Sequence, residues 1–411
     1  MSVPPPARIP RSARSDTEII IVNWNSRQHT LDCLAAVESQ LHEVDGSAVT
    51  VVDNGSTDGS ATAIATHHPR AKLFALRENR GFTGGLAAAL RGSTARNVIF
   101  LNNDAVPEPG WLAALTRAIE GADDDVIAAG GRILDTTGTR IDFIGGMITF
   151  DGHAFQEGFR YPVGSRPEPP SGAEILFACG GNMIARRAAL MELGGFDEDY
   201  FAYLEDVDFG WRSWIAGYRH LFEPAATVRH ASSATSDRLG NVERGVLFER
   251  NALQTAIKNY GDETFRDVAG AIFLAYLRRL HHYATRHNSN AAELRRPPFA
   301  GTTDSRPPSR LGRLRDRLFG RKALARVDDP LTTMQFRALE WIVRNEARII
   351  DKRRTVQGRR KRTDDEIFRR FPLHFVPTYP GDESLLNGPL FRLLRPDVAS
   401  ADRKLGDIIR T

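Results

Sequence analysis

Val51-Val52-Asp53-Asn54-Gly55-Ser56-Thr57-Asp58-Gly59 decides the fold class. A β-branched apolar run ends in an acid, Gly55 lets the backbone turn, and Ser56 or Thr57 is placed to cap a following helix. This is the strand-to-helix turn at which open α/β sheets bind ligands. The same grammar extends outward on both sides. Apolar runs at 19–24, 72–76 and 98–101 alternate with helical patterns at about 27–41, 57–66 and 82–92, the order of βαβ units in a mostly parallel sheet. Further on, the pattern predicts a helix to about 120 and a strand over 126–134. A hairpin and an irregular loop follow over 139–172, then a short helix at 187–193. Strands near 219–222 and 227–229 lead to His230. Long helices follow at about 242–288, broken near Gly261, and at 331–362.

The bulk numbers exclude several classes. A chain of 411 residues with 41% hydrophobic and 26% charged residues has the composition of an ordinary globular protein of two or three domains. Two cysteines, Cys33 and Cys179, build neither a disulfide framework nor a zinc site, and fit a reducing cytoplasm. No apolar h-region opens the chain and no run approaches a membrane span. Charge is uneven: the net +4 divides into −9 over residues 1–250 and +13 over 251–411. Lys352-Arg353-Arg354 and Arg359-Arg360-Lys361-Arg362 therefore read either as a surface for anionic lipid or as a solvated or oligomer-forming helix. No recognition motif supports nucleic acid as a partner.

Three carboxylates in four residues, Glu205, Asp206 and Asp208, open a helix after the loop Gly194–Tyr203. Capping needs one acid, and Arg212 pairs with only one more at i+4. Asn102-Asn103-Asp104 ends a strand apolar enough to be central, where a carboxylate suits Mg²⁺ or Mn²⁺ together with phosphate oxygens. His230 is a candidate second ligand, tilting the choice towards Mn²⁺. Asp53 is a candidate acceptor for a nucleobase imide, with Asn23, Asn25, Asn79, Arg80, Gly81 and Asn103 on the same sheet edge. Cys179-Gly180-Gly181-Asn182 reads either as an acceptor-site lining or as a tight structural loop. Arg250-Asn251 and Lys258-Asn259-Tyr260 read either as an acceptor's diphosphate site or as the polar face of a helix.

The segments 51–59, 100–105, 180–187 and 194–212 together resemble the inverting family 2 glycosyltransferases, above all bacterial rhamnosyltransferase-like members, with some likeness to galactofuranosyltransferases. The resemblance covers about residues 17–260. It implies an α/β, Rossmann-like GT-A (nucleotide-diphospho-sugar transferase) domain with a C-terminal helical extension. The expected divisions are a disordered tail 1–16, a catalytic domain 17–240, a helical extension 241–290, a Pro/Arg-rich linker 291–330 and a basic helical region 331–411. It implies a nucleotide-sugar donor, dTDP-rhamnose first and UDP-galactofuranose or another UDP-hexose next, and a lipid-linked or polysaccharide acceptor in cell-envelope glycan synthesis. It further implies that Asp206 is the general base with Glu205 beside it. Asp104 closes a DxD-type metal motif, with His230 about where a metal-binding histidine stands, and Gly180, Gly181, Asn182 and Trp211 line the acceptor side. One departure is plain: Asn102 stands at the first acidic position of that motif. The rival readings are a sugar-phosphate nucleotidyltransferase, for which no Gly-rich phosphate loop follows the first strand, and a non-catalytic nucleotide- or glycan-binding protein. The expected location is cytoplasmic, peripheral on the cytoplasmic face of the plasma membrane if the basic region binds lipid. Homo-oligomerisation stays open.

Overall fold

Ile19, Ile20 and Ile21 are wholly buried, a run that only a strand covered on both faces accommodates. The computed structural model describes residues 16–231, 240–289, 291, 327–377, 379 and 381–410. All of the expected tail but Asp16, and nearly all of the expected linker, lie outside these residues. Strand β1 (Thr17–Asn23) lies between β2 (Ser47–Asp53) and β4 (Asn97–Asn102), all parallel, and β3 (Lys72–Ala75) runs parallel outside β2. Ile19, Ile21 and Val51 pack with Cys33, Leu34 and Val37 of α1 (Arg27–Glu38). Ile20, Val22 and Val52 pack with Leu86, Ala89 and Leu90 of α3 (Gly81–Gly92) on the other face. The period-2 geometry of a strand thus feeds two cores from one apolar run.

The sheet continues through β11 (Asn182–Arg186), β6 (Val126–Asp135), β12 (Arg219–His230) and β10 (Glu174–Ile175), in the order β3-β2-β1-β4-β11-β6-β12-β10. Strand β11 is antiparallel to both neighbours, whereas β12 is parallel to β6. The parallel strands β1, β2 and β4 therefore end at one edge, with Asn23 opposite Asp53 and Val22 opposite Asn102. The expected strands 219–222 and 227–229 are one strand, with an irregularity between Glu223 and Val228 where Pro224 has no N–H to give the ladder. The helix expected at 57–66 is α2 (Ser60–His67), because the Asp58 carboxylate takes the Ser60 N–H at 3.0 Å.

Helices α7 (Asn241–Asn259) and α8 (Asp262–Arg286) follow the sheet, divided at Gly261 as expected. The helix expected over 331–362 is two, α9 (Pro330–Arg344) and α10 (Glu346–Gly358). At the break the Asn345 side chain donates to the Trp341 carbonyl at 2.7 Å, the local competition that makes asparagine a helix end. The bend turns the basic run inward. Arg353, Gln357 and Arg360 donate to the carbonyls of Ile257, Lys258, Asn259 and Tyr260 at the C-terminus of α7. Arg362 does the same for Trp214, Gly217 and Tyr218 after α6 (Glu205–Ile215). Lys352 reaches Asp197 and Asp199. Much of the charge that read as a lipid or solvent surface is thus spent on helix C-termini and buried acids, where cations offset the dipole and satisfy orphan carbonyls.

Candidate active site

The edge where β1, β2 and β4 end carries a hydrogen-bonded asparagine–aspartate net. The Asn23 side chain donates to Asp53 Oδ1 at 2.7 Å and to Ser56 Oγ at 3.1 Å, and accepts from Thr30 Oγ1 at 2.8 Å and Asn103 Nδ2 at 3.2 Å. Every polar atom of Asn23 is engaged within the protein, so Asn23 positions Asp53. The Asn103 amide is likewise shared between Asn23 and Thr30. Asn25, at φ 50°, accepts from Thr57 N–H at 2.7 Å. Asn79 Oδ1 takes the Gly81 N–H at 2.8 Å and the Asn54 amide at 2.9 Å, while Arg80 pairs with Glu198 at 3.2 Å. Gly81 is required where it stands: its φ is +75°, and a Cβ there would lie 2.4 Å from the Phe201 carbonyl oxygen. The loop after β3 is thereby pressed against the segment that leads to Glu205.

Asp104 follows β4, and its Oδ1 lies 3.0 Å from His230 Nε2 at the end of β12. The other imidazole nitrogen, Nδ1, lies 2.8 Å from Asp142 Oδ2. Asn102 Nδ2 is 3.2 Å from His230 Nε2, so the asparagine at the first position of the motif contacts the histidine. Burial works against a charge on His230, but its bonds to the two aspartates outweigh that and carry it up to about 10. Burial also opposes ionisation of Asp104, and the same histidine holds its carboxyl below the usual range. Asp142, in the apolar strand β7 (Ile141–Phe143), was not singled out in the sequence; an acid between two buried hydrophobic residues was the available signal. It orients the imidazole as carboxylates orient ligating histidines. Among the described residues, no group of three or more His, Cys, Asp or Glu is gathered to hold an ion unaided.

Glu205 and Asp206 open α6. Three non-glycine residues just before it have positive φ: Phe201 at 63°, Tyr203 at 71° and Leu204 at 64°. Each such residue costs about 1–3 kcal/mol, a strain sustained only by surrounding contacts. Those contacts come from α7. Asn251 Nδ2 donates to the carbonyls of Tyr200, Ala202 and Tyr203 at 3.0, 2.8 and 2.8 Å, and Arg250 donates to Asp199 and Tyr200. Lys258 is buried against Asp197 at 2.7 Å and Asp208 at 3.0 Å. Of the two readings of these residues, the structure favours a bracing role over a diphosphate site. The Asn251 amide and the Lys258 ammonium are engaged within the protein, and Arg250 holds the carbonyls of Asp199 and Tyr200, with its Nε buried and unpartnered among the described residues. Asp208 is also paired with Arg212 at 2.8 Å, the i+4 bridge expected from spacing.

Replacing Asn251 with alanine is expected to lower kcat by about tenfold to 10²-fold with little change in donor KM, since small misplacements of a reacting group cost that much. Steady-state kinetics resolves the two parameters; a pure KM effect would count against the bracing role.

Asp206 Oδ2 accepts the Gly180 N–H at 3.0 Å and Oδ1 accepts the Val207 N–H at 2.8 Å. Burial raises Asp206 above the ordinary carboxylate range, although these two N–H groups favour its charge. Glu205 goes higher, pushed to about 8 by burial first and by the neighbouring Asp206 charge second, and its buried Oε2 has no partner within the protein. The pair therefore holds a proton at neutral pH, divided unequally. Ionising Glu205 as pH rises through about 8 adds a second negative charge beside Asp206. Glu205→Gln is expected to keep most activity at pH 7 and to abolish an alkaline fall centred near 8; pH–rate profiles of both proteins decide it. The same shift makes folding stability decline between the ordinary glutamate range and about 8, because the folded state there holds the extra proton.

Gly180 and Gly181 join the two halves. Gly180 touches Asp206, Asn102 N–H donates to the Gly181 carbonyl at 3.2 Å, and a Cβ on Gly181 would lie 2.7 Å from the Asn102 amide. A continuous path runs Asp206, Gly180, Gly181, Asn102, His230, Asp104. Two expected acceptor residues are not on it. Asn182 is buried, donating to the Arg132 and Ala226 carbonyls and accepting from Trp111 Nε1 at 2.7 Å. Trp211 is buried edge-on against Tyr260 and Phe368. Both side chains are wholly buried, Asn182 at the start of β11 and Trp211 in the middle of α6, so neither reaches the cleft.

Residues 18–194 match the family model described as glycosyl transferase family 2. Over 211 residues the chain is 30% identical to an N-acetylglucosaminyl-diphospho-decaprenol L-rhamnosyltransferase of Mycobacterium tuberculosis, covering 46% of this chain and 68% of that protein. The chain belongs to glycosyltransferase family 2. A pre-mycofactocin glycosyltransferase of the same organism is 28% identical, over 45% of this chain and 36% of its own length. Among solved structures, a mannosyltransferase from Pyrobaculum calidifontis in complex with GDP-Man and Mn²⁺ aligns with a TM-score of 0.45 and 20% identity, covering 82% of this chain and 88% of that one. This family 2 enzyme is a glycosyltransferase that uses a nucleotide-sugar donor, which disposes of the nucleotidyltransferase and non-catalytic readings.

Proposed function

We propose that this glycosyltransferase moves a sugar with inversion from a nucleotide-diphosphate donor, dTDP-rhamnose first and UDP-galactofuranose or another UDP-hexose next. The acceptor is a hydroxyl of a lipid-linked or polysaccharide glycan of the cell envelope. The observation that carries this reading is the short path from Asp206 through the two glycines to Asn102, His230 and Asp104. Asp206 takes the acceptor hydroxyl proton as that oxygen attacks the anomeric carbon, and Glu205 keeps its own proton beside it. Asp53, held by Asn23, receives the base, and Asn79, Arg80 and Gly81 shape the loop over the nucleotide.

Asp104 Oδ1 and His230 Nε2, 3.0 Å apart as a hydrogen-bonded ion pair, would hold a divalent cation once the imidazole gives up its Nε2 proton, and oxygen with imidazole suits Mn²⁺ or Mg²⁺. Such an ion, completed by the donor's phosphate oxygens, would offset the charge of the departing diphosphate. Rhamnose stands first because the similar Mycobacterium protein is named a rhamnosyltransferase, and the lipid-linked acceptor rests on the same name. With a nucleotide sugar as substrate, the site of action is the cytoplasm or the cytoplasmic face of the plasma membrane.

A thermal-shift panel of dTDP-rhamnose, UDP-galactofuranose and UDP-hexoses, each with Mn²⁺ and with chelator, tests the donor and the ion together. The expected result is the largest rise in Tm for dTDP-rhamnose, reduced by chelator. An equal response to every nucleotide sugar, with no effect of chelator, would remove both assignments.

A further inference from the structure

Leu393 is 80% exposed, Leu277 62%, Leu390 52% and Phe273 51%, values that large apolar side chains rarely keep in water without a use. They belong to two elements laid side by side. Gly381 sits against the His282 ring, and the Leu394 side chain lies 3.2 Å from where a Gly270 Cβ would stand. The chain from 381 to 394, including α13 (Pro389–Leu394, after α11, Asp364–Phe368, and α12, Asp382–Leu386), thus runs back along α8 from His282 to Gly270. Leu390 and Leu393 are thereby laid alongside Phe273 and Leu277, which share one face of α8 at i and i+4. Phe391, between them in sequence, faces inward against Phe150 and Phe375 and anchors the element.

Charge names the occupant. Neither 270–286 nor 389–395 contains an Asp or Glu, while Arg278, Arg286 and Arg392 are exposed around the apolar side chains. A second copy docking by twofold symmetry would set these arginines against one another, the nearest exposed acids of the two elements, Asp267 and Glu383, lying outside both stretches. An anionic lipid surface receives both parts, leucine and phenylalanine among the acyl chains and arginine at the headgroups. Among the described residues no helix is long and apolar enough to cross a membrane, so the contact is interfacial. We propose that the α8–α13 face seats this enzyme on anionic membrane. This replaces the 352–362 run as the lipid-binding element, since most of that run is turned inward.

Flotation of the full chain with phosphatidylcholine vesicles, with and without phosphatidylglycerol, at physiological salt tests it. Wild type is expected to float with the anionic vesicles, and Leu277→Gln combined with Leu393→Gln to partition about tenfold or more weaker. Both positions are exposed, so Tm and donor hydrolysis should be unchanged, which separates failure of this proposal from failure of the transferase assignment. Absence of wild-type flotation, equal flotation on neutral vesicles, or an undiminished double variant overturns it. So does light scattering that finds a dimer which the double variant abolishes.

Discussion

Replacing Asp206 with asparagine is expected to lower kcat by about 10²–10⁴ while the donor still raises Tm as in wild type. The substitution preserves shape and keeps one of the two bonds from the Gly180 and Val207 N–H groups, yet removes the carboxylate oxygen that receives the acceptor proton. The loss should be large because Glu205 is no substitute. Burial and its neighbour hold it protonated to about 8, so at neutral pH it has no free charge to offer. Asp208 is buried in its bridges to Arg212 and Lys258 and is equally unable to stand in. Turnover within a few-fold of wild type would remove Asp206 from the base role; loss of the donor's thermal shift would make it a binding residue instead.

Arg279→Met is expected to cost about 3–5 kcal/mol of stability, the usual result of removing one partner from a buried ionic cluster. Arg279 is buried and lies 2.7 Å from Asp151, 2.9 Å from Asp382 and 3.9 Å from Glu249, while His153 lies 3.2 Å from Asp151. These groups stand on the turn between β8 (Gly146–Ile148) and β9 (Ala154–Gln156), on α7, on α8 and on α12. Without the guanidinium, three buried carboxylates face one imidazole. Burial opposes charge on His153, but Asp151 and Glu249 outweigh it and raise it to about 9. A raised histidine contributes stability that is fully present below about 6.5 and is lost as pH climbs through about 9. Urea unfolding of wild type should therefore weaken across that window. A loss below about 1 kcal/mol for the methionine variant, or a flat profile for wild type, would show that the cluster stabilises little.

The parallel half of the sheet was legible because a doubly covered strand must be apolar at every position and its turn must begin with residues that bend or cap. Ile19–Val22, Val49–Asp53 and Asn97–Asn102 satisfy both conditions locally. The long helices were legible from periodicity, but the break at Asn345 was not, since one side chain's bond to a carbonyl decides it. The cleft was legible only in part. Asp53, Asp104, Glu205 and Asp206 stand at element ends, where a carboxylate is conspicuous. Asn182 directly follows Gly180 and Gly181, and Trp211 lies on the helix that Glu205 and Asp206 open, yet both side chains turn into the core.

Local sequence was thus sufficient for element type and for the acids at strand and helix ends, because propensity, turn chemistry and apolar period act within a few residues. Tertiary structure alone decided which polar groups face one another. Asp142 meets His230, Asn251 meets three carbonyls of a strained loop, Arg362 meets the end of α6, and Arg279 meets acids from three other segments. Each pairing joins residues tens to hundreds of positions apart, and chain closure over such distances is set by the packing of the whole sheet and its helices rather than by any short stretch.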